Sequence, residues 1–447
     1  MTLNLQDLIE RFSPEKVLLV TDAEEHTVSD LLSISKKFRQ DCSLDRDSRV
    51  IIEAKDPALK LSSLIGIDGH AGALFPVPES LLEDPNLSDL RKRFGATHRL
   101  TDSGLTLEPT YEEARQPENA FLNRVLQTRW VLPTSGTTGV PKLIEHNTQS
   151  LTKTCKTDEK RGGSFKWGLV YDPFRFAGLQ VVLQSFASGS RLVLGYQLPN
   201  IQQQAQLFSL QKVNALSATP TYWRKLLMTG LASTLPLNQI TLGGEPADQA
   251  ILSSLANTFP NARIAHIYAS TEVGVGFSVT DRKPGFPIEF IEKGVNGNQL
   301  RISSHNTLQI RPDDPGSSLL GTALMDDEGY IDTGDLVDID GDRVLFKGRD
   351  SGAINVGGNK VTPEEIEAVI RMVPGVGEVI VKGKSSGMMG QIVVAEVEAS
   401  PEYTDTLSLK RDIMTACKAA LDRYKIPALI RFVENVPLSP AGKIIRS

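Results

Sequence analysis

"LPTSGTTGVPKLIEHN", residues 132–147, gathers the hydroxyls of Thr134, Ser135, Thr137 and Thr138, two glycines (Gly136 and Gly139) and the Lys142 cation into one short span. Glycine amides, hydroxyl donors and a single ammonium are the groups with which a loop holds phosphate oxygens. The familiar nucleotide-binding loop places lysine directly after its second glycine and a hydroxyl residue after the lysine. Here Gly139 is followed by Val140-Pro141-Lys142 and then Leu143, so that reading fails. What remains suits transient contact with the β- and γ-phosphates of a leaving pyrophosphate. Taken alone, the stretch also reads as a Ser/Thr/Gly surface linker.

Outward from this loop the chain alternates helix and strand patterns. "VSDLLSISKKFRQ" (28–40) carries apolar residues at helical spacing, and "SRVIIEA" (48–54) reads as a buried strand. "SRLVLG" (190–195) and "VNALSATP" (213–220) are strand-like, with the helical "IQQQAQLFSLQK" between them. Such alternation predicts an α/β architecture with mostly parallel sheets flanked by helices. After about residue 285 the pattern changes to hairpins, in "NQLRISSHNTLQIRP" and "GYIDTGDLVDIDGDRVLFKGR". A helix start at Thr362-Pro363-Glu364-Glu365 follows. The expected organisation is a large N-terminal domain, residues 1–348, and a small α+β C-terminal lid, residues 349–447.

With 447 residues, more than one hydrophobic core is expected. The net charge of -6 and the lack of a basic block argue against a nucleic-acid partner. Three scattered cysteines form no disulfide framework or metal pattern, which points to a reducing compartment. No signal segment or membrane span stands out, so a cytoplasmic location is the expectation. The histidines show no HExxH spacing.

Further stretches give the loop its context. "SGTTGVPK" resembles the phosphate loop of the adenylate-forming superfamily, which includes acyl- and aryl-CoA ligases, peptide-synthetase adenylation domains and luciferases. "LGGEP" (242–246) resembles that family's adenine-flanking segment, and "YASTEVG" (268–274) its YGxTE motif, with Ala269 in the usual glycine position. "YIDTGD" (330–335) and "GRDSGAINVGGNKVTPEEIE" (348–367) resemble the ribose-binding and hinge stretches, and "PLSPAGKIIRS" (437–447) the C-terminal lysine motif. Length and the "GGNKVTPEEIE" stretch are most similar to the short o-succinylbenzoate–CoA ligases.

The resemblance implies ATP-dependent activation of a carboxylic acid to an acyl-adenylate, then transfer to a thiol. ATP, Mg2+ and CoA would be required. Lys443, Thr271 and Glu272 would be catalytic, with Glu272 also holding the metal through a hard oxygen. Thr134, Ser135, Gly136, Thr137, Thr138, Gly139 and Lys142 would contact ATP, as would Gly244, Glu245, Pro246, Tyr268, Ala269, Ser270, Asp335 and Arg349. A carboxylate such as Asp335 suits a ribose diol because it only accepts hydrogen bonds. Gly357 and Gly358 would help receive CoA, although a simple turn explains them nearly as well. The lid would rotate about Asp350 and Ser351.

The acid itself is not legible. Arg175, Gly178, His266 and Val273 are the candidate pocket residues, with Arg175 at a position where the family often carries histidine or an aromatic. Arginine there suits either a second anionic group on the substrate or a salt bridge within the protein. The acceptor is expected to be CoA; a carrier-protein phosphopantetheine, acting in trans, or an amine is the alternative. A non-catalytic ATP-binding protein is the remaining reading, and Lys142, Glu272, Asp335, Arg349 and Lys443 together speak against it.

Overall fold

The computed structural model describes residues 4–41, 44–108, 127–134, 141–313, 318–319, 325–349, 352–357, 359–386, 390–403 and 405–436. An eight-stranded sheet runs in the order Gly274–Val279, Arg263–Ser270, Gln239–Gly243, Ala215–Ala218, Lys166–Leu169, Arg191–Leu194, Val17–Val20, Glu25–Thr27. Every interior pairing is parallel, and only the two edge strands run antiparallel. A seven-stranded sheet is likewise parallel at its centre, through Arg129–Pro133, Ala73–Pro76, Arg49–Ile52 and His98–Thr101. These two sheets match the α/β expectation.

Between them lie the helices Pro57–Ile67 and Phe176–Ser188, apolar on most sides and sharing one core with strands from both sheets. Their ends follow from local chemistry. Asp56 accepts the Leu59 amide at 2.7 Å and Pro57 occupies the first helical position, where a missing N–H costs nothing. The second helix stops at Gly189, whose φ of 65° suits a residue without a β-carbon. Each large apolar side chain buried here contributes on the order of 1.5–3 kcal/mol.

The predicted hairpins belong to a third, wholly antiparallel five-stranded sheet that includes Thr307–Arg311, Ile331–Asp340 and Arg343–Arg349. Phe277, Phe286, Leu308, Ile310 and Val344 form its core. A fourth sheet, with Val376–Ser386 against Gly390–Ala399, packs on the helices Pro363–Arg371 and Thr406–Ala420 around a separate core. Thr362 stands at the N-cap of Pro363–Arg371 with Pro363 at N1, but its side chain makes no capping bond. No helix among the described residues is long and apolar enough to cross a membrane.

Asp68, just past the first buried helix, joins three distant elements. Its carboxylate accepts the Leu5 amide at 2.8 Å, the Trp130 indole N–H at 3.1 Å and the Thr148 hydroxyl at 2.8 Å. Burial outweighs these donors and pushes the carboxyl up to about 6. A raised carboxyl stabilises the fold most below the unfolded carboxylate range and loses that contribution as pH rises through about 6. The unfolding free energy of Asp68→Asn, relative to wild type, is therefore expected to improve by on the order of 2–3 kcal/mol between about pH 3.5 and 7. Denaturant titrations at the two pH values check this; a pH-independent difference would contradict it.

Candidate active site

The loop that opens "LPTSGTTGVPKLIEHN" connects two antiparallel strands, Arg129–Pro133 and Leu143–Asn147. Its base is closed by Thr134 and Lys142. The Thr134 amide donates to the Lys142 carbonyl at 2.9 Å, and the Lys142 amide donates to the Thr134 hydroxyl oxygen at 3.2 Å. The Lys142 side chain is exposed. Ser135, Gly136, Thr137, Thr138 and Gly139 lie outside the described residues, as do Asp350, Ser351, Gly358 and Lys443.

The strand that leaves this loop carries His146, which the motif resemblance did not single out. It is buried, and its Nε2 lies 2.7 Å from the Thr271 carbonyl. Since a carbonyl only accepts, the ring must present Nε2–H. Burial pushes His146 down to about 4, so it stays neutral at physiological pH and keeps that donor. A histidine on the buried face of a short strand was the available signal; its partner, 125 positions away, was not readable.

Thr271 and Glu272 sit at the tip of a hairpin between Arg263–Ser270 and Gly274–Val279. The Val273 amide donates to the Ser270 hydroxyl at 3.1 Å, and Gly274 takes a φ of 75°, which together close the turn. Ala269 is in strand, directly before this turn. The motif is therefore a presented tip, with its backbone tethered by His146 to the strand that follows the phosphate loop.

Asp335 stands opposite Arg349 across the antiparallel strands Ile331–Asp340 and Arg343–Arg349. Arg349 Nε donates to Asp335 Oδ1 at 2.8 Å, while the Tyr268 hydroxyl donates to Oδ2 at 2.6 Å. Gly334, at φ 69°, turns the backbone there, and its amide donates to Asp332 at 2.9 Å. Burial works against the Arg349 charge, but Asp335, Tyr268 and Glu272 hold it above its ordinary value. Burial and the Asp335 charge push the Tyr268 hydroxyl well above the usual phenol range, which keeps it a donor. Asp335 therefore joins the hairpin strand to the antiparallel sheet, and its partner Arg349 interacts electrostatically with Glu272.

Tyr268 packs differently from a free adenine platform. Its ring lies nearly parallel to Phe277, at 5.2 Å between centroids, and to Phe346, at 5.3 Å. In "LGGEP", Gly244 adopts φ 79° and Pro246 follows Glu245. The Glu245 carboxylate accepts the Thr221 amide at 3.1 Å and its hydroxyl at 2.7 Å, at the start of helix Pro220–Met228. A carboxylate there complements the helix N-terminus.

The four candidate acid-pocket residues have separate partners. Arg175 donates to the Ser80 hydroxyl at 2.6 Å, and burial lowers its guanidinium from the ordinary value. Gly178 answers a packing demand: a β-carbon there would lie 2.1 Å from the Asp172 carbonyl oxygen. His266 contacts the Lys283 carbonyl at 2.9 Å, and burial lowers it from its ordinary value. Val273 borders a cleft with His146, Ser150 and Asn298. No hydrogen bond or ion pair joins these four to one another among the described residues. The turn reading of Gly357 has direct support, because Val356 pairs with Asn359 and Gly357 takes φ 58°.

Among the described residues no cluster of three or more acidic, histidine or cysteine groups could hold a metal ion. The Glu272 carboxylate fits Mg2+, which is typically held by one or two carboxylates together with substrate phosphates and water.

Comparisons with known proteins identify the family. The AMP-binding enzyme model matches residues 77–322, and the AMP-binding enzyme C-terminal domain model matches residues 365–443. The 2-succinylbenzoate–CoA ligase of Bacillus pumilus (strain SAFR-032) is 27% identical over 368 residues, covering 76% of this chain and 71% of that protein. Among solved structures, the anthranilate CoA ligase AuaEII in complex with anthranoyl-AMP superposes with a TM-score of 0.77 at 18% identity, covering 99% of this chain and 95% of that one. The o-succinylbenzoate coenzyme A synthetase MenE from Bacillus subtilis, in complex with ATP and magnesium ion, gives a TM-score of 0.69 at 20% identity, covering 99% and 98%. With more than half of its residues matched by the family model, the chain belongs to the AMP-binding enzyme family.

Proposed function

We propose that this protein is an AMP-forming acid–thiol ligase. In the first step a carboxylate oxygen of the acid bonds to the α-phosphorus of ATP, the bond to the β-phosphate breaks, and pyrophosphate leaves. In the second, the sulfur of CoA bonds to the acyl carbon, AMP departs, and the thiol proton passes to solvent. The observation that carries this reading is the Asp335 carboxylate, oriented from two sides by Arg349 and Tyr268, with Arg349 also interacting electrostatically with Glu272.

Each chain residue has a definable task in that scheme. Asp335 accepts the ribose hydroxyls, and Arg349 keeps it aimed. Thr271 donates to the α-phosphate from a tip whose backbone His146 holds. Glu272 supplies the carboxylate that would hold Mg2+, which when bound neutralises phosphate charge. Lys142 and the loop hydroxyls orient the departing pyrophosphate. Lys443 brings a cation to the point where carboxylate and phosphate anions meet. Residues 1–348 would form the domain that binds ATP and acid, and residues 349–447 the lid turning about Asp350 and Ser351.

The acceptor is tested by incubating the protein with ATP, Mg2+, CoA and a carboxylic-acid panel that includes o-succinylbenzoate, anthranilate, benzoate and octanoate. Mass spectrometry is expected to show an acyl-CoA formed in step with AMP. An adenylate that forms but passes only to a carrier-protein phosphopantetheine or an amine would overturn CoA as the acceptor.

A further inference from the structure

Helix Pro220–Met228 meets the two ends of the proposed reaction. Its N-terminus is held by Glu245 of the "LGGEP" segment, and its adjacent cations Arg224 and Lys225 reach the C-terminal sheet. Arg224 pairs with Asp248 at 2.5 Å and with Glu378 at 3.6 Å. Glu378 is fully buried and also bound by Arg371 at 2.8 Å. Burial opposes its ionisation, yet Arg371 and Arg224 hold it below the usual carboxylate range. The surfaces are in close approach there: a β-carbon on Gly377 would lie 2.7 Å from Met228 Cε.

Lys225 makes a second knot. Its Nζ donates to the Val436 carbonyl at 3.0 Å and lies 3.4 Å from Glu398 Oε2. The same Glu398 oxygen accepts the Val436 amide at 2.8 Å. Both polar groups of the Val436 backbone are thus fixed, one by each member of a largely buried ion pair, whose side chains are 14% and 11% exposed. Val436 stands seven residues before Lys443 in the chain. Seven residues reach at most about 25 Å when fully extended, so where Val436 is held limits where Lys443 can act.

We propose that Lys225 is a positioning residue for the acid-activation half-reaction: it fixes the root of the segment that carries Lys443 against the helix that Glu245 ties to the nucleotide-binding side. The proposal rests on the assignment of Lys443 made above. The thioester step, which does not use Lys443, requires no such knot. Removing the cation leaves Glu398 buried without its counter-charge, so the contact is lost as a unit rather than weakened at one bond.

The test compares Lys225→Met with Lys225→Arg. The substrate is whichever acid of the panel gives most pyrophosphate release, together with its synthetic acyl-adenylate. Lys225→Met is expected to lower acid-dependent ATP–pyrophosphate exchange about tenfold or more. Thioester formation from the supplied adenylate and CoA should stay within about twofold, and Lys225→Arg should recover most of the exchange. In hydrogen exchange, the Val436 amide should lose protection in Lys225→Met while Gly390–Ala399 keeps its own. Unchanged pyrophosphate exchange, an equal fall in both half-reactions, or unchanged protection of Val436 would each overturn the proposal. Should Lys443→Ala leave pyrophosphate exchange intact, the assignment of Lys443 fails, and the Val436 amide still decides whether Lys225 holds that root.

Discussion

Replacing Lys443 by alanine is expected to lower acid-dependent pyrophosphate release by about 10²–10³-fold. The reason is electrostatic. The attacking carboxylate and the α-phosphate are both anionic, and negative charge accumulates between them as the new bond forms. A cation placed there stabilises the transition state more than either separated reactant, so its loss falls on the rate of chemistry rather than on ATP binding. Thioester formation from a supplied acyl-adenylate should persist, because in that step AMP is the leaving group and no second phosphate approaches. Rapid-quench measurement of each half-reaction separates the two. Parallel loss of both would assign Lys443 a structural part instead.

Substituting Asp335 by asparagine should act mainly on ATP affinity. Both of its oxygens accept hydrogen bonds within the protein, from Arg349 and from Tyr268, and the remaining lone pairs are available for a ribose diol. An amide keeps the shape but turns one acceptor into a donor and removes the charge that Arg349 faces. Hydrogen bonds to charged groups contribute roughly 1.5–3 kcal/mol each, so the KM for ATP is expected to rise about 10²-fold. The kcat at saturating ATP should fall much less, since the ribose is remote from the reacting phosphorus. Thermal unfolding run alongside guards against a general loss of fold. An unchanged KM would remove the ribose role from Asp335.

Much of this architecture was legible because it depends on local rules. Alternating helix and strand patterns marked the parallel sheets, and Asp-Gly turns marked the hairpins that became the antiparallel sheet. The hairpin strands that carry Asp335 and Arg349 lie where the residue pattern predicted hairpins, and Thr134 and Lys142 join two antiparallel strands at the ends of the opening loop. The unread features are long-range pairings between side chains of ordinary type. Nothing near His146 announces the Thr271 carbonyl, and nothing near Tyr268 announces Asp335, 67 positions later. Lys225 reads as a solvated helix cation until the fold lays Val436 against it. The acid pocket was hardest, because a binding cavity is a shape made by distant segments. Gly178 illustrates the difficulty: its lack of a side chain is demanded by the Asp172 carbonyl, a packing reason that looks the same in sequence as a pocket floor.

The central claim is that this chain joins a carboxylate to the α-phosphate of ATP, and ATP–pyrophosphate exchange measures that step alone. With Mg2+ present and CoA omitted, labelled pyrophosphate is expected to enter ATP only when a suitable acid from the panel is added, with no ADP formed. Exchange that does not depend on acid, or ATP consumption that yields ADP and phosphate, would contradict the account.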